Sequence, residues 1–167
     1  MSVSVQRLKL GLGVALAIVA LDQALKAWML RLVFDPPRIL EVTSFFNLAP
    51  AWNRGVSFGL LAHDSPWAPW LLAGLAVAIA IFLLRWLGRA ESSWVALALG
   101  LVLGGAVGNA IDRLRFGAVV DFLDFHVAGL HFWAFNLADS AITVGAAGLL
   151  LTTLWAERLS RPADRPK

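Results

Sequence analysis

Apolar residues fill four long blocks of this chain, and polar residues interrupt them at few places. The blocks span about residues 8–33, 69–86, 92–112 and 136–157. Each is close to the roughly 20 apolar residues a helix needs to cross a bilayer. The second block, "PWLLAGLAVAIAIFLL", has no charge before Arg85, whereas the first is broken by Asp22, Gln23 and Lys26. The pattern predicts an all-α membrane protein: one four-helix transmembrane bundle forming a single integral membrane domain over residues 1–167. Loops fall at about 34–67 and 113–135, and the tail 158–167 is polar and proline-broken. Arg7 and Lys9 ahead of an apolar run resemble a signal peptide, but the run continues past Lys26, so a retained span is expected.

Composition supports the pattern. Of 167 residues, 59% are hydrophobic and 15% charged, against about 25% charged in soluble domains. The net charge of +3 does not point to nucleic acid, because the basic residues gather at the ends of apolar blocks. Arg7 and Lys9, then Arg85 and Arg89, then Arg158, Arg161, Arg165 and Lys167 all fall on one side, which predicts cytoplasmic termini. Arg113 and Arg115 sit on the other side against the rule. The chain has no cysteine, which removes thiol nucleophiles, disulfides and thiolate metal sites. Neither a metal nor a cofactor is expected.

The intramembrane polar residues share one depth. Lys26 lies seventeen positions after Lys9, roughly 25 Å at 1.5 Å per residue. Asn109 lies eighteen after Glu91, and Asp139 eighteen before Glu157, roughly 27 Å by the same rise. Three spans therefore present polar groups near the outer interface, where ionisable residues are functional candidates. Asp22 and Lys26 also have the i,i+4 spacing of a simple ion pair. Gly100, Gly104 and Gly108 recur every fourth residue, a stripe for close helix packing. Asn109, Asp112 and Arg113 follow on one side of the same helix.

Two acidic motifs remain. In "FNLADSAIT", Asn136 suits an N-cap and Asp139 the capping-box position three residues later. Asp139 therefore has a structural reading beside a functional one, and the two are compatible. The segment "VVDFLDFH" is β-branched and aromatic and reads as extended. Strand alternation puts Asp121 on one face with Leu123 and Phe125, and Asp124 on the other with His126. Asp124 is expected to bond His126, while Asp121 needs a partner from elsewhere. Asp139, at the same leaflet, is a candidate. Two carboxylates held together share a proton, so that one can act as base and the other as acid.

Five blocks together carry a family resemblance: "DQALK", "NRGVSFG", "GGAVGNAIDR", "VVDFLDF" and "FNLADS". In this order the chain resembles the lipoprotein signal peptidases, the bacterial type II signal peptidases, over nearly its whole length. The resemblance implies an aspartic endopeptidase of the bacterial cytoplasmic (inner) membrane that needs no metal. It would cut the signal peptide from a diacylglyceryl-modified prolipoprotein before the lipidated cysteine, with its active site near the outer leaflet. The family's catalytic pair maps onto Asp121 and Asp139. Its other site positions map onto Asp22, Lys26, Asn53, Gly55, Asn109, Arg113 and Asn136. The resemblance further implies a small extracytoplasmic β-cradle and a mobile amphipathic segment. "RILEVTSFF" and "GVSFGLL", around a turn at Asn53 to Gly55, fit that cradle. Trp52 and Val56 depart from the residues common in relatives. The partners implied are prolipoprotein and membrane lipids, with the chain acting as a monomer.

Two other classes fit parts of the pattern. A transporter or proton-coupled carrier would use Asp22, Lys26 and Asp139 as an ion path, but would spread polar residues through the membrane depth. A non-catalytic assembly protein would use the glycine stripe, yet gives Asp121 no task. The H-E-x-x-H and S-x-x-K signatures of other peptidases do not occur.

Overall fold

The computed structural model describes residues 2–55, 67–132 and 134–160. Four helices, α1 (Val3–Leu32), α2 (Ala68–Leu87), α3 (Ser93–Phe116) and α4 (Leu137–Ser160), are long and apolar enough to cross a membrane. Four short strands, β1 (Leu40–Thr43), β2 (Phe46–Asn53), β3 (Val119–Val127) and β4 (Leu130–His131), form an antiparallel sheet in chain order. The bundle and its small sheet agree with the expected fold class.

Helix α3 is the centre of the bundle and packs against the other three helices. Its glycines make that possible. A Cβ on Gly104 would lie 2.8 Å from the Ala15 carbonyl oxygen of α1, and one on Gly100 would meet the Gly11 backbone at 2.5 Å. Gly105 faces Ala138 in the first turn of α4 just as closely. In lipid, packing of this kind takes the place of a hydrophobic driving force between helices. Around it, Ala15, Leu83, Leu87, Ala96, Leu99 and Leu103 form a dry core.

Local signals set the ends of α3. The Ser92 side chain caps its start by accepting from the Val95 N–H at 3.2 Å. Gly117, at φ 70°, ends it in the left-handed conformation that glycine adopts without a Cβ penalty. The helix thus runs past the expected boundary at 112. Arg113 and Arg115 lie in its last turn rather than in a loop, where cations complement the helix dipole.

The cradle differs from the sequence expectation. "RILEVTSFF" does not form one strand. It turns at Ser44 and Phe45, and the second strand is "FNLAPAWN", which ends at Asn53. This second strand contains Pro50. The pairing with β3 shifts register between Leu48 and Ala51, and this bulge accommodates the proline. Most of "GVSFGLL", including Val56 and Gly59, lies outside the described residues, as does the tail from 161 onward.

Candidate active site

Strand β3 and the start of α4 meet because the chain returns antiparallel to its own strand. Phe135 and Leu123 exchange two backbone hydrogen bonds, at 2.9 and 3.1 Å. The next residue, Asn136, is therefore set beside Asp121. Its side chain donates to Asp121 Oδ1 at 2.6 Å. The same residue starts α4 with a complete capping box. The Asp139 N–H donates to Asn136 Oδ1 at 2.9 Å, and the Asn136 N–H donates back to Asp139 Oδ2 at 3.3 Å. Asn136 is fully buried and donates to both carboxylates, to Asp121 from its side-chain amide and to Asp139 from its backbone N–H, while its Oδ1 accepts from the Asp139 N–H.

A second asparagine ties this cluster to the bundle. Asn109 donates from Nδ2 to Asp139 Oδ1 at 2.7 Å, and its Oδ1 accepts from Asn136 at 3.2 Å and from Lys26 Nζ at 3.0 Å. Lys26 also pairs with Asp22 and with Asp112, both at 2.8 Å. All three of these charged side chains are buried. The i,i+4 pair expected from spacing is thus part of a larger triad. Gln23 braces it, donating to Asp112 Oδ1 at 2.9 Å while accepting from Arg115 at 3.3 Å.

Asp121 is the electrostatically unusual member. Burial pushes its carboxyl up to about 7, helped by the charge of Asp139 and opposed by hydrogen bonds from Asn53 and Asn136 and by Lys26. Arg113 lies close enough to Asp139, Asp121 and Asp112 to interact with each, and its buried Nε has no hydrogen-bond partner. Asn53, at the end of β2, reaches Asp121 and also accepts from the Gly55 N–H at 3.3 Å, an Asx-type turn. Gly55 therefore touches the group of acids only through Asn53. The other expected site residues, Asp22, Lys26, Asn109, Arg113, Asn136, Asp121 and Asp139, all fall in one connected network.

Asp124 stands apart, but with a different partner from the one expected. It bonds His131 at 2.9 Å and Asn47 at 3.1 Å rather than His126, because the β3–β4 hairpin folds His131 back over it. Burial raises its carboxyl, but these hydrogen bonds and the histidine charges outweigh that and leave it below its ordinary value. His126 only stacks on His131, with ring centroids 5.0 Å apart. Sequence spacing did not single out Gln23 or the role of Asp112, since nothing local marks an interhelical partner. The nearest signal was Asp112 at i+3 from Asn109.

The description of signal peptidase (SPase) II matches residues 14–155. The chain belongs to the signal peptidase II family. Its similarity to curated members is extensive. A lipoprotein signal peptidase of Methylobacterium sp. (strain 4-46) is 46% identical over 158 residues, covering 94% of this chain and 96% of that one. A lipoprotein signal peptidase of Paraburkholderia phytofirmans is 48% identical over 151 residues, with 90% and 87% covered. Among solved structures, a bacterial membrane enzyme determined at 2.3 Å superposes with a TM-score of 0.75 at 25% identity, covering 93% of this chain and 94% of that one. A second, at 1.9 Å, gives 0.72 at 27% identity, covering 86% and 92%. Signal peptidase II membership makes the chain a multi-pass bacterial membrane hydrolase of the lipoprotein-processing class.

Proposed function

We propose that the chain removes signal peptides from diacylglyceryl-modified prolipoproteins, cutting before the lipidated cysteine, with Asp121 and Asp139 as an aspartic dyad. The observation that carries this reading is the shared anchor Asn136, which holds the Asp121 carboxyl at 2.6 Å and caps the helix of Asp139 at 2.9 Å. A structural cap alone would not call for a second, buried acid on the same asparagine.

In this reading one carboxylate takes a proton from water as the water oxygen attacks the scissile carbonyl. The other, protonated, donates to the carbonyl oxygen, giving a neutral gem-diol. Collapse returns a proton to the leaving nitrogen and breaks the C–N bond, so protons and atoms balance without a metal. Such a dyad needs one proton at working pH, and an ionisation near 7 at Asp121 supplies it. The free Nε of Arg113 is a spare donor beside the developing charge. Asn53, presented by the turn at Gly55, orients Asp121 from the open side. The substrate's acyl chains would hold its cysteine at the bilayer surface. This reading puts the site at the outer end of the bundle and both termini in the cytoplasm.

The test is turnover of a diacylglyceryl-modified prolipoprotein by Asp121→Asn and by Asp139→Asn in lipid. Each variant should lose at least about 10³-fold, the upper range for removing one acid–base group. Wild-type turnover by either would sink the dyad.

A further inference from the structure

We propose that Asp22, Lys26 and Asp112 are positioning residues that set the spacing of Asp121 and Asp139 through the backbone, without touching substrate. This rests on the dyad reading above. The supporting geometry is a near-symmetry. Asp112 Oδ2 accepts from the Val120 N–H at 3.1 Å, one residue before Asp121. Asp22 Oδ1 accepts from the Ala138 N–H at 3.0 Å, one residue before Asp139. Lys26 joins the two carboxylates, each at 2.8 Å from Nζ. Its third donor goes to Asn109 Oδ1, and Asn109 passes the constraint to Asp139 through a 2.7 Å bond. All three ammonium donors are used, and every route leads to one of the two acids.

Stability alone is a poor reason for such a cluster. Well-packed apolar residues commonly hold a core as firmly as a buried ion triad does. What apolar groups lack is direction. A carboxylate oxygen fixes the place of an N–H, and two carboxylates joined through one ammonium fix two N–H groups relative to each other. The two amides belong to different element types, a strand and a helix start; the Leu123–Phe135 backbone pair joins these elements but bonds neither amide. The Ala138 N–H is one of the first-turn donors that have no partner within their own helix. Gly108 keeps the ruler in place: a Cβ there would lie 2.7 Å from Asp22 Oδ2. Gln23, at 2.9 Å from Asp112 Oδ1 and 3.3 Å from Asp22 Oδ2, holds both acids from the side.

Two substitutions at Asp112 separate position from charge. In Asp112→Asn one oxygen can still accept from both the Val120 N–H and Lys26, the charge is lost, and the new amide nitrogen faces only Gln23, whose own amide can turn over. Asp112→Glu and Asp22→Glu keep the charge and move the acceptor by one methylene. The full-length protein in lipid should show kcat within about tenfold of wild type for Asp112→Asn. The glutamate variants should lose about 100-fold in kcat with KM little changed, as expected for a misplacement near 1 Å. Glutamate equal to or better than asparagine at position 112 overturns the proposal, since that order belongs to a charge-only ion pair. Amide exchange supplies a readout that needs no turnover. In the Asp121→Asn chain, adding Asp112→Glu should speed exchange at Val120 at least tenfold, and adding Asp22→Glu should do so at Ala138. Unchanged protection overturns the positioning role even if the dyad stands. Wild-type turnover by Asp121→Asn removes the dyad while leaving the exchange result to be read independently.

Discussion

Along α3, the half that begins at Ser93 buries Ala96, Leu99, Gly100, Leu103 and Gly104, whereas the half that ends at Phe116 buries Gly108, Asn109 and Asp112. The first half meets α1 backbone to backbone, with glycines removing every atom that would hold the helices apart. The second half still nears the α4 backbone at Gly105, but beyond it Asn109 and Asp112 meet α1 and α4 through side chains bonded to other elements. Close apolar packing is tolerant of what lies beyond it, so it can clamp the bundle at one end. Directional polar contacts are intolerant, so they fix atoms at the other. Buried polar residues spread through the depth would have suited an ion path. Among the described residues they gather instead at the end of the bundle next to the sheet, in Asp22, Lys26, Asn109, Asp112 and Asn136, and in Asn47, Asp121 and Asp124 of the sheet itself.

The largest effect should come from breaking the clamp. In Gly104→Leu the new side chain meets backbone at 2.8 Å, which cannot rotate away. Overpacking of this kind costs about 1–3 kcal/mol and sometimes more. Detergent unfolding should show a loss at the upper end of that range, with α1 separating from α3. A wild-type transition would mean that the clamp lies elsewhere. A subtler probe is pH, which acts on the polar end of the comparison through Asp121. The pKa of Asp121 is raised from its ordinary value to about 7. The fold therefore favours its protonated form, and the stability this brings is lost as pH rises from the unfolded value through 7. Turnover should fall on the alkaline side of about 7, because Asp121 then loses its proton. Asp121→Asn should raise the melting temperature at pH 8.5 more than at pH 5. Equal shifts at both would mean that Asp121 is not the titrating group. The smallest effect belongs to Asp124→Asn in the sheet. His131 is 55% exposed in its pair with Asp124, so the loss should be about 1 kcal/mol or less in melting experiments. Turnover should persist, and its abolition in a folded variant would move Asp124 into the site.

The four helices were legible because apolar runs of that length have few other uses, and so was the capping box at Asn136, a purely local pattern. The separation of Asp121 from Asp124 followed from strand alternation, and the two acids indeed have no hydrogen-bond partner in common. Other features were hidden for a physical reason. His131 reaches Asp124 only because a hairpin turns between them. Strand β2 contains Pro50, a residue that local propensity assigns to a break, and a bulge that only its neighbour strand reveals. The links from Asp22 to Ala138 and from Asp112 to Val120 join side chain to backbone, and no pattern of residue types announces them.

Asp139 arrives at any reaction with both oxygens already engaged, one by Asn109 and one by the backbone of Asn136. A free aspartate side chain on a helix samples several rotamers and would have to be frozen each time a peptide bond came within reach. Here that freezing happens once, when the helix forms. The carboxylate is therefore already fixed in place by the fold, with almost no rotamer freedom left to lose.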